Sequence, residues 1–304
     1  MPRYRMIAID LDGTLLSPTG KVTPRAKEAV HKALGAGLLV CFATGRNWTE
    51  SRTVLDAVAH YGTAVFVGGA MVVDTEKRIT LHRTMMEPGL AAELCAYLES
   101  EGQAAMALQD TGTAGVDYLL SAEVEPNEAV RQWMSITSAA IHRVPGLGTD
   151  PSLHEHTIRV GICAARDDVQ RISGGLAERF GERIVVHSLF VPAYDVEVLE
   201  IFDPAVNKWQ GILHVARRHG IEPAEVIAIG DDVNDVAMLE HAGLGVAMGN
   251  ARPEAVAVAD LVIGTNAEEG LARFLEELVE RHVVEPAEPP APVAPAQPNQ
   301  SSEG

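Results

Sequence analysis

Cysteine is scarce in this sequence of 304 residues, with only Cys41, Cys95 and Cys163 present. The number is odd, the spacing wide and no Cys-x-x-Cys pair occurs. A disulfide framework and a thiolate metal site are therefore excluded, and a reducing cytoplasm fits best. Aromatic residues make up 5% of the chain, and Trp48, Trp133 and Trp209 are too dispersed to form a base-stacking platform. Basic residues are also few: 24 Lys and Arg stand against 42 Asp and Glu, a net charge of −18. A surface this acidic repels phosphate backbones and anionic headgroups, so neither nucleic acid nor a membrane surface is an expected partner. Long apolar runs are missing as well. The N-terminal segment meets a carboxylate at Asp10 after four apolar residues, and no stretch approaches the roughly 18 apolar residues of a membrane span. A soluble, unexported protein is expected.

What is present is ample apolar material, 47% of residues against 22% charged. At about 150 residues per domain the length suggests two domains. Near the N-terminus, Tyr4 to Ile9 reads as a buried strand. Pro24 to Leu34 reads as a helix with Thr23 as its N-cap, ended by Gly35 and Gly37. Apolar runs follow at 38–43 and 64–67, and again at 226–229, 246 and 261–263, interleaved with helical stripes such as Trp209, Ile212, Leu213 and Ala216. Uninterrupted apolar strands alternating with helices are what a parallel sheet covered on both faces requires. The middle, about 85–189, has longer irregular pieces and fewer strands. It reads as a separate α+β unit inserted into the first. The last twenty residues, 285–304, hold six of the 17 prolines and no basic residue, and are expected to form a disordered tail.

Two acidic clusters carry the chemistry. Asp10-Leu11-Asp12-Gly13-Thr14 follows the first strand directly. Residues i and i+2 of an extended chain point the same way, so both carboxylates emerge at the carboxyl end, where open α/β sheets place ligands. Taken alone, it could equally be a polar turn permitted by Gly13. A calcium loop is excluded, because its glycine stands sixth rather than fourth. Gly230-Asp231-Asp232-Val233-Asn234-Asp235 follows another apolar strand. Three carboxylates so close together repel unless a cation sits among them, and Mg²⁺ is the common intracellular choice for oxygen ligands. An ordinary acidic N-capping turn is the plainer reading. The spacing also suits isoprenoid synthases, but they need an all-α fold. Thr44 could donate its hydroxyl to an anion, and Lys208 could offer a cation at a helix start. Each alone says little. Together the four pieces fit the attack of a carboxylate on a phosphate monoester, in which positive charge must offset anion meeting anion. A second acid two residues on can then move the protons. His154 and His156 read as a surface loop rather than a metal site, and Gly243-Leu244-Gly245 lacks the offset of a dinucleotide fingerprint.

Asp10-Leu11-Asp12-Gly13-Thr14, Thr44-Gly45-Arg46, Lys208 and Gly230-Asp231-Asp232-Val233-Asn234-Asp235, in that order, resemble the four motifs of the haloacid dehalogenase-like (HAD) hydrolase superfamily. The long stretch between Thr44 and Lys208 is similar to its Cof-type (class IIB) branch. The resemblance implies a Rossmann-like core at 1–84 and 190–284 with an inserted α+β cap at 85–189. It also implies that Asp10 is a nucleophile forming an aspartyl-phosphate, with Asp12 the general acid and base and Thr44 and Lys208 on the phosphoryl group. By the same likeness Mg²⁺ would sit on Asp10, the Asp12 main-chain carbonyl and Asp231, with Asp235 in or near its shell. Gly13, Gly45, Arg46 and Asn234 join the candidate substrate contacts. The implied activity is Mg²⁺-dependent hydrolysis of small phosphorylated metabolites. A phosphomutase or phosphosugar-specific member using the same intermediate stays open, as does an idle metabolite-binding protein. The sequence departs from the family's pattern at Val67-Gly68-Gly69-Ala70, where an asparagine is frequent, and at Trp209, where a glycine is usual.

Overall fold

The computed structural model describes residues 4–191 and 195–282, so the proline-rich segment 285–304 lies outside the described residues. Its central element is the strand Met6–Ile9, whose four side chains are all fully buried. Ile7 and Ile9 face the cluster that holds Val30 and Leu275, and Met6 and Ala8 face the one that holds Ile212 and Met238. Because alternate side chains point to opposite faces and helices cover both, the strand has no polar position. Five parallel strands line up in the order Leu261–Val262, Leu244–Ala247, Val226–Gly230, Met6–Ile9, Leu39–Phe42. The strand order reverses between Met6–Ile9 and Val226–Gly230, which run in register with Ile9 opposite Ile229. A crevice opens at the carboxyl ends of such a pair, and both acidic clusters leave from there.

The helix Pro24–Gly35 starts as its sequence implies, with Thr23 Oγ1 accepting from Ala26 N. The apolar run at 64–67 behaves differently from the others. Thr63–Phe66 turns back through Val67–Gly69 and forms a three-stranded antiparallel sheet with Met71–Asp74 and Ile79–Arg83. It meets the central sheet by one parallel bridge, Ala43 to Val65. A short return of this kind joins antiparallel neighbours, whereas a further parallel strand would need a longer crossover.

A second sheet of six strands runs in the order Val185–Val191, Val196–Phe202, Thr157–Ala164, Met106–Gln109, Tyr118–Ser121, Ile141–Val144. The expectation of few strands in the middle of the chain is thereby corrected. The last three are four residues long and interrupted by polar side chains, too short for period-two alternation to stand out. Val196–Phe202 pairs with Thr157–Ala164, Leu199 opposite Ile162, so the sheet continues past residue 189. Helices Pro88–Ser100 and Arg166–Phe180 cover one face, where Leu94, Cys95, Ile172 and Leu176 pack on Val160, Ile162 and Leu199. The opposite face roofs the crevice. Hydrogen bonds from Thr49 Oγ1 to Asp117 Oδ1 (2.7 Å) and from Thr80 Oγ1 to Asp110 Oδ1 (3.0 Å) tie this sheet to the rest. Arg83 also pairs with Asp110, which is fully buried. No helix among the described residues is long and apolar enough to cross a membrane.

Candidate active site

Asp10 ends the first strand, its N–H donating to Ile229 O (3.0 Å), and only 4% of it is exposed. Its Oδ1 accepts from Lys208 Nζ at 2.6 Å. Lys208 is the first residue of the helix Lys208–Arg218, whose N-cap Asn207 accepts from Gln210 N, and it is 1% exposed. The same ammonium donates to Asp235 Oδ1 at 2.5 Å. The other oxygen of Asp235 accepts from the N–H groups of Asp231 and Asp232, both at 3.0 Å. Asp235 thereby joins the start of one helix to the loop after another strand.

Asp231 Oδ1 accepts from Thr14 Oγ1 at 2.9 Å, and Oδ2 accepts from Asn250 Nδ2 at 3.3 Å. Gly13 turns with φ +83°, and a Cβ there would stand 2.1 Å from Asp231 Oδ2, so only glycine permits the approach. One oxygen each from Asp10, Asp231 and Asp235 lie within 4.8 Å of one another. Burial, opposed by Lys208 and reinforced by Asp235 and Asp231, pushes the Asp10 carboxyl well above its usual range. Burial and Asp235 push Asp231 up to about 7. Burial works against the charge of Lys208, but Asp10 and Asp235 outweigh it and hold its pKa above that of an ordinary lysine. Two carboxylates thus share one ammonium with a third close by, and the excess negative charge falls on hard oxygen donors. A divalent cation fits that donor set, since its charge would relieve the repulsion.

Asp12 does not join the cluster. Its carboxylate is held by Arg46, Nε to Oδ2 at 2.7 Å and Nη2 to Oδ1 at 2.5 Å, a two-pronged pair at the mouth of the site. Thr44 is fully buried, and its Oγ1 accepts from Arg46 N at 3.1 Å. Asn234 lies beside Gly45, and its Oδ1 is buried without a partner among the described residues. Asp10, Asp12, Gly45, Arg46 and Asn234 line one side of a cavity of about 640 Å³, and the second sheet supplies most of the other side.

Thr14 and Asn250 escaped the sequence reading, although Thr14 stands inside the first motif. The lining residues Arg159, Glu200 and Tyr118 also went unread, and Trp133 was weighed only as part of a base-stacking platform. His154 corrects the surface-loop expectation. It is fully buried, with Nδ1 at 3.0 Å from Thr157 Oγ1 and Nε2 at 2.8 Å from Leu147 O, a core histidine remote from the acidic cluster.

The glycine segment noted in the sequence has a physical role here. Gly69 has φ +109°, and a Cβ on it would lie 1.9 Å from Asn207 O, the carbonyl that precedes Lys208. Gly69→Ala is expected to cost at least about 2 kcal/mol, since neither the backbone conformation nor the contact accommodates it. Urea denaturation measures this, and a midpoint equal to that of the wild type would contradict it.

Known proteins resemble this chain in sequence and in fold. Residues 7–275 match the haloacid dehalogenase-like hydrolase family. The 5-amino-6-(5-phospho-D-ribitylamino)uracil phosphatase YwtE of Bacillus subtilis is 27% identical over 292 residues, covering 90% of this chain and 98% of its own. A haloacid dehalogenase-like hydrolase from Bacteroides thetaiotaomicron shares the fold with a TM-score of 0.74 at 22% identity, over 91% of this chain and 100% of its own. A sugar phosphatase of HAD subclass IIB superposes with a TM-score of 0.71 at 20% identity, over 90% of this chain and 98% of its own. The chain belongs to the haloacid dehalogenase-like hydrolases.

Proposed function

We propose that the protein is a Mg²⁺-dependent phosphatase that hydrolyses monoesters of small metabolites through an aspartyl-phosphate on Asp10. The observation that carries this reading is the buried Lys208 shared by Asp10 and Asp235, with Asp231 alongside, beneath a cavity sized for one small molecule. Asp10 Oδ1 is held by Lys208, which leaves the other oxygen to attack phosphorus. Lys208 and the Thr44 hydroxyl hold the phosphoryl oxygens, with Gly45 and Asn234 lining the same cavity and Gly13 turned against Asp231. Asp12, in its acid form, turns from Arg46 and gives its proton to the leaving alkoxide. As a carboxylate it then takes a proton from water, which attacks the acyl-phosphate, releases inorganic phosphate and restores Asp10. Arg46 positions Asp12 and does not itself react.

Asp10, Asp231 and the main-chain carbonyl of Asp12 would hold Mg²⁺, which when bound supplies positive charge against the phosphoryl oxygens. Both oxygens of Asp235 are already engaged, and its part is to hold Lys208 and the Asp231–Asp232 amides in place. The second sheet, residues 106–202, acts as the cap that meets the leaving group. The relatives named as a ribitylaminouracil phosphatase and a sugar phosphatase support a small phosphorylated substrate.

Excess chelator is expected to abolish hydrolysis of p-nitrophenyl phosphate, and Mg²⁺ to restore it. In the absence of substrate, Mg²⁺ at a hundredfold its dissociation constant should add about 2.7 kcal/mol of stability, visible as a rise in Tm of several degrees. Asp231→Asn should blunt both responses. Full turnover in chelator, with no thermal response to Mg²⁺, would overturn the metal assignment.

A further inference from the structure

The cavity is lined by three arginines, Arg46, Arg159 and Arg252, and by six acidic residues. Among the described residues each of these arginines already has a carboxylate partner. Arg46 holds Asp12, Arg159 holds Glu200, and Arg252 Nε lies 3.6 Å from Asp232 Oδ1. Arg159 is the deepest of the three on the roof side. It is 9% exposed, its Nη2 donates to Tyr118 OH at 3.3 Å, and its guanidinium lies 5.9 Å from the centre of the Phe202 ring. An anion from a substrate would have to share this guanidinium with Glu200 and would meet that carboxylate's charge in a site where both are largely buried.

A second carboxylate, Glu50, lines the same cavity as Arg159 and Arg46 without forming an ion pair with either. It follows the N-cap Asn47 in the first turn of Trp48–Val58, faces the cavity and accepts from no side-chain donor among the described residues. Glu50 on the core side and Glu200 on the roof thus outnumber Arg159, and this part of the cavity carries net negative charge. Around it the walls are apolar, with Met106, Trp133, Val186, Leu189 and Val198.

We propose that the enzyme selects monoesters with no anionic group besides the phosphoryl group being removed, the rest of the substrate being partly apolar and neutral or cationic. A donor or cation on that portion would pair with Glu50 or Glu200, and a second phosphate or a carboxylate would find, among the charged groups of the lining, only carboxylates and arginines that already have a carboxylate partner. The inference rests on the phosphatase reading above and specifies its substrate class.

The test uses three 2-phenylethyl phosphates that differ only in the para group: methyl, aminomethyl or carboxylate. Their leaving alcohols are alike, so differences in kcat/KM report recognition of the remote group. The carboxylate ester should be at least tenfold poorer than the methyl ester, with the aminomethyl ester equal or better. In Glu50→Gln, and separately in Glu200→Gln, the spread between the charged esters should narrow at least threefold, whatever the absolute rates. Equal rates for the three esters, or a spread unchanged in both variants, would overturn the proposal. So would a preference for the carboxylate ester that vanishes in Arg252→Gln, since it would place an anion site at the rim. If none of the esters is hydrolysed, the phosphatase reading fails by itself. Calorimetric binding of the same three esters must then still follow the charge order, and a reversed order would refute the charge assignment.

Discussion

Asp10→Asn is expected to lower kcat by about four orders of magnitude or more, because the amide keeps the shape of the carboxyl group but is a far poorer nucleophile. The fold should not suffer. The amide oxygen can still accept from Lys208, and Lys208 keeps Asp235. The substitution also removes one negative charge from a cluster that has too many, where burial already pushes Asp10 well above the ordinary carboxyl range. The metal-free variant should therefore melt at the wild-type temperature or a few degrees above it. Steady-state rates on p-nitrophenyl phosphate and a thermal melt in chelator decide the matter together. More than about a tenth of the wild-type rate would remove Asp10 from the role of nucleophile.

Lys208→Met should damage both stability and rate. It leaves Asp10 and Asp235 facing each other in a nearly water-free site without their shared partner, and breaking a buried pair in this way costs about 3–5 kcal/mol. For a chain of this size that corresponds to a loss in Tm of roughly 10 °C. The deficit should shrink as pH falls toward 5. Without the lysine nothing opposes the effect of burial on Asp10, whose carboxyl is pushed further up, so it takes up a proton in the folded protein above the pH at which it does so in the unfolded chain. Adding Asp10→Asn to the variant should recover part of the stability and none of the activity. A lysine that only filled space would give a melting temperature indifferent to both pH and the second substitution.

The strand Met6–Ile9 and the loops that leave it and its neighbour were legible because each follows from one requirement. Burial on both faces leaves no polar position, and two acidic clusters at adjacent carboxyl ends have few other uses. Lys208 was legible only from its order among the motifs. Its full burial and double pairing depend on the turn at Gly69, which brings distant backbone against Asn207. Thr14 and Asn250 were unreadable because their partner, Asp231, is 217 and 19 residues away and neither is an unusual residue in a loop. The roof was hidden for another reason. Alternation in Val196–Phe202 says that the strand has two faces, but nothing local says that the one bearing Val198 and Glu200 overlooks a cavity. His154 was misread as solvent-exposed because its partners, Leu147 O and Thr157 Oγ1, are fixed by packing that no short window of sequence records.

Asp235 has a consequence for how the protein can change. One of its oxygens fixes Lys208 and the other fixes two amides of the loop bearing Asp231. A substitution that adjusts either attachment disturbs the other, so changes at 208, 231 and 235 should be strongly non-additive in double-mutant cycles. Variation in the floor is then confined to coordinated exchanges of several residues. The wall residues Met106, Trp133 and Val198 line the cavity without a side-chain hydrogen bond to that anchor among the described residues, so their exchange leaves Asp235 and its partners in place. A library aimed at a new substrate has its accessible routes in the roof, while the groups that handle phosphorus stay as they are.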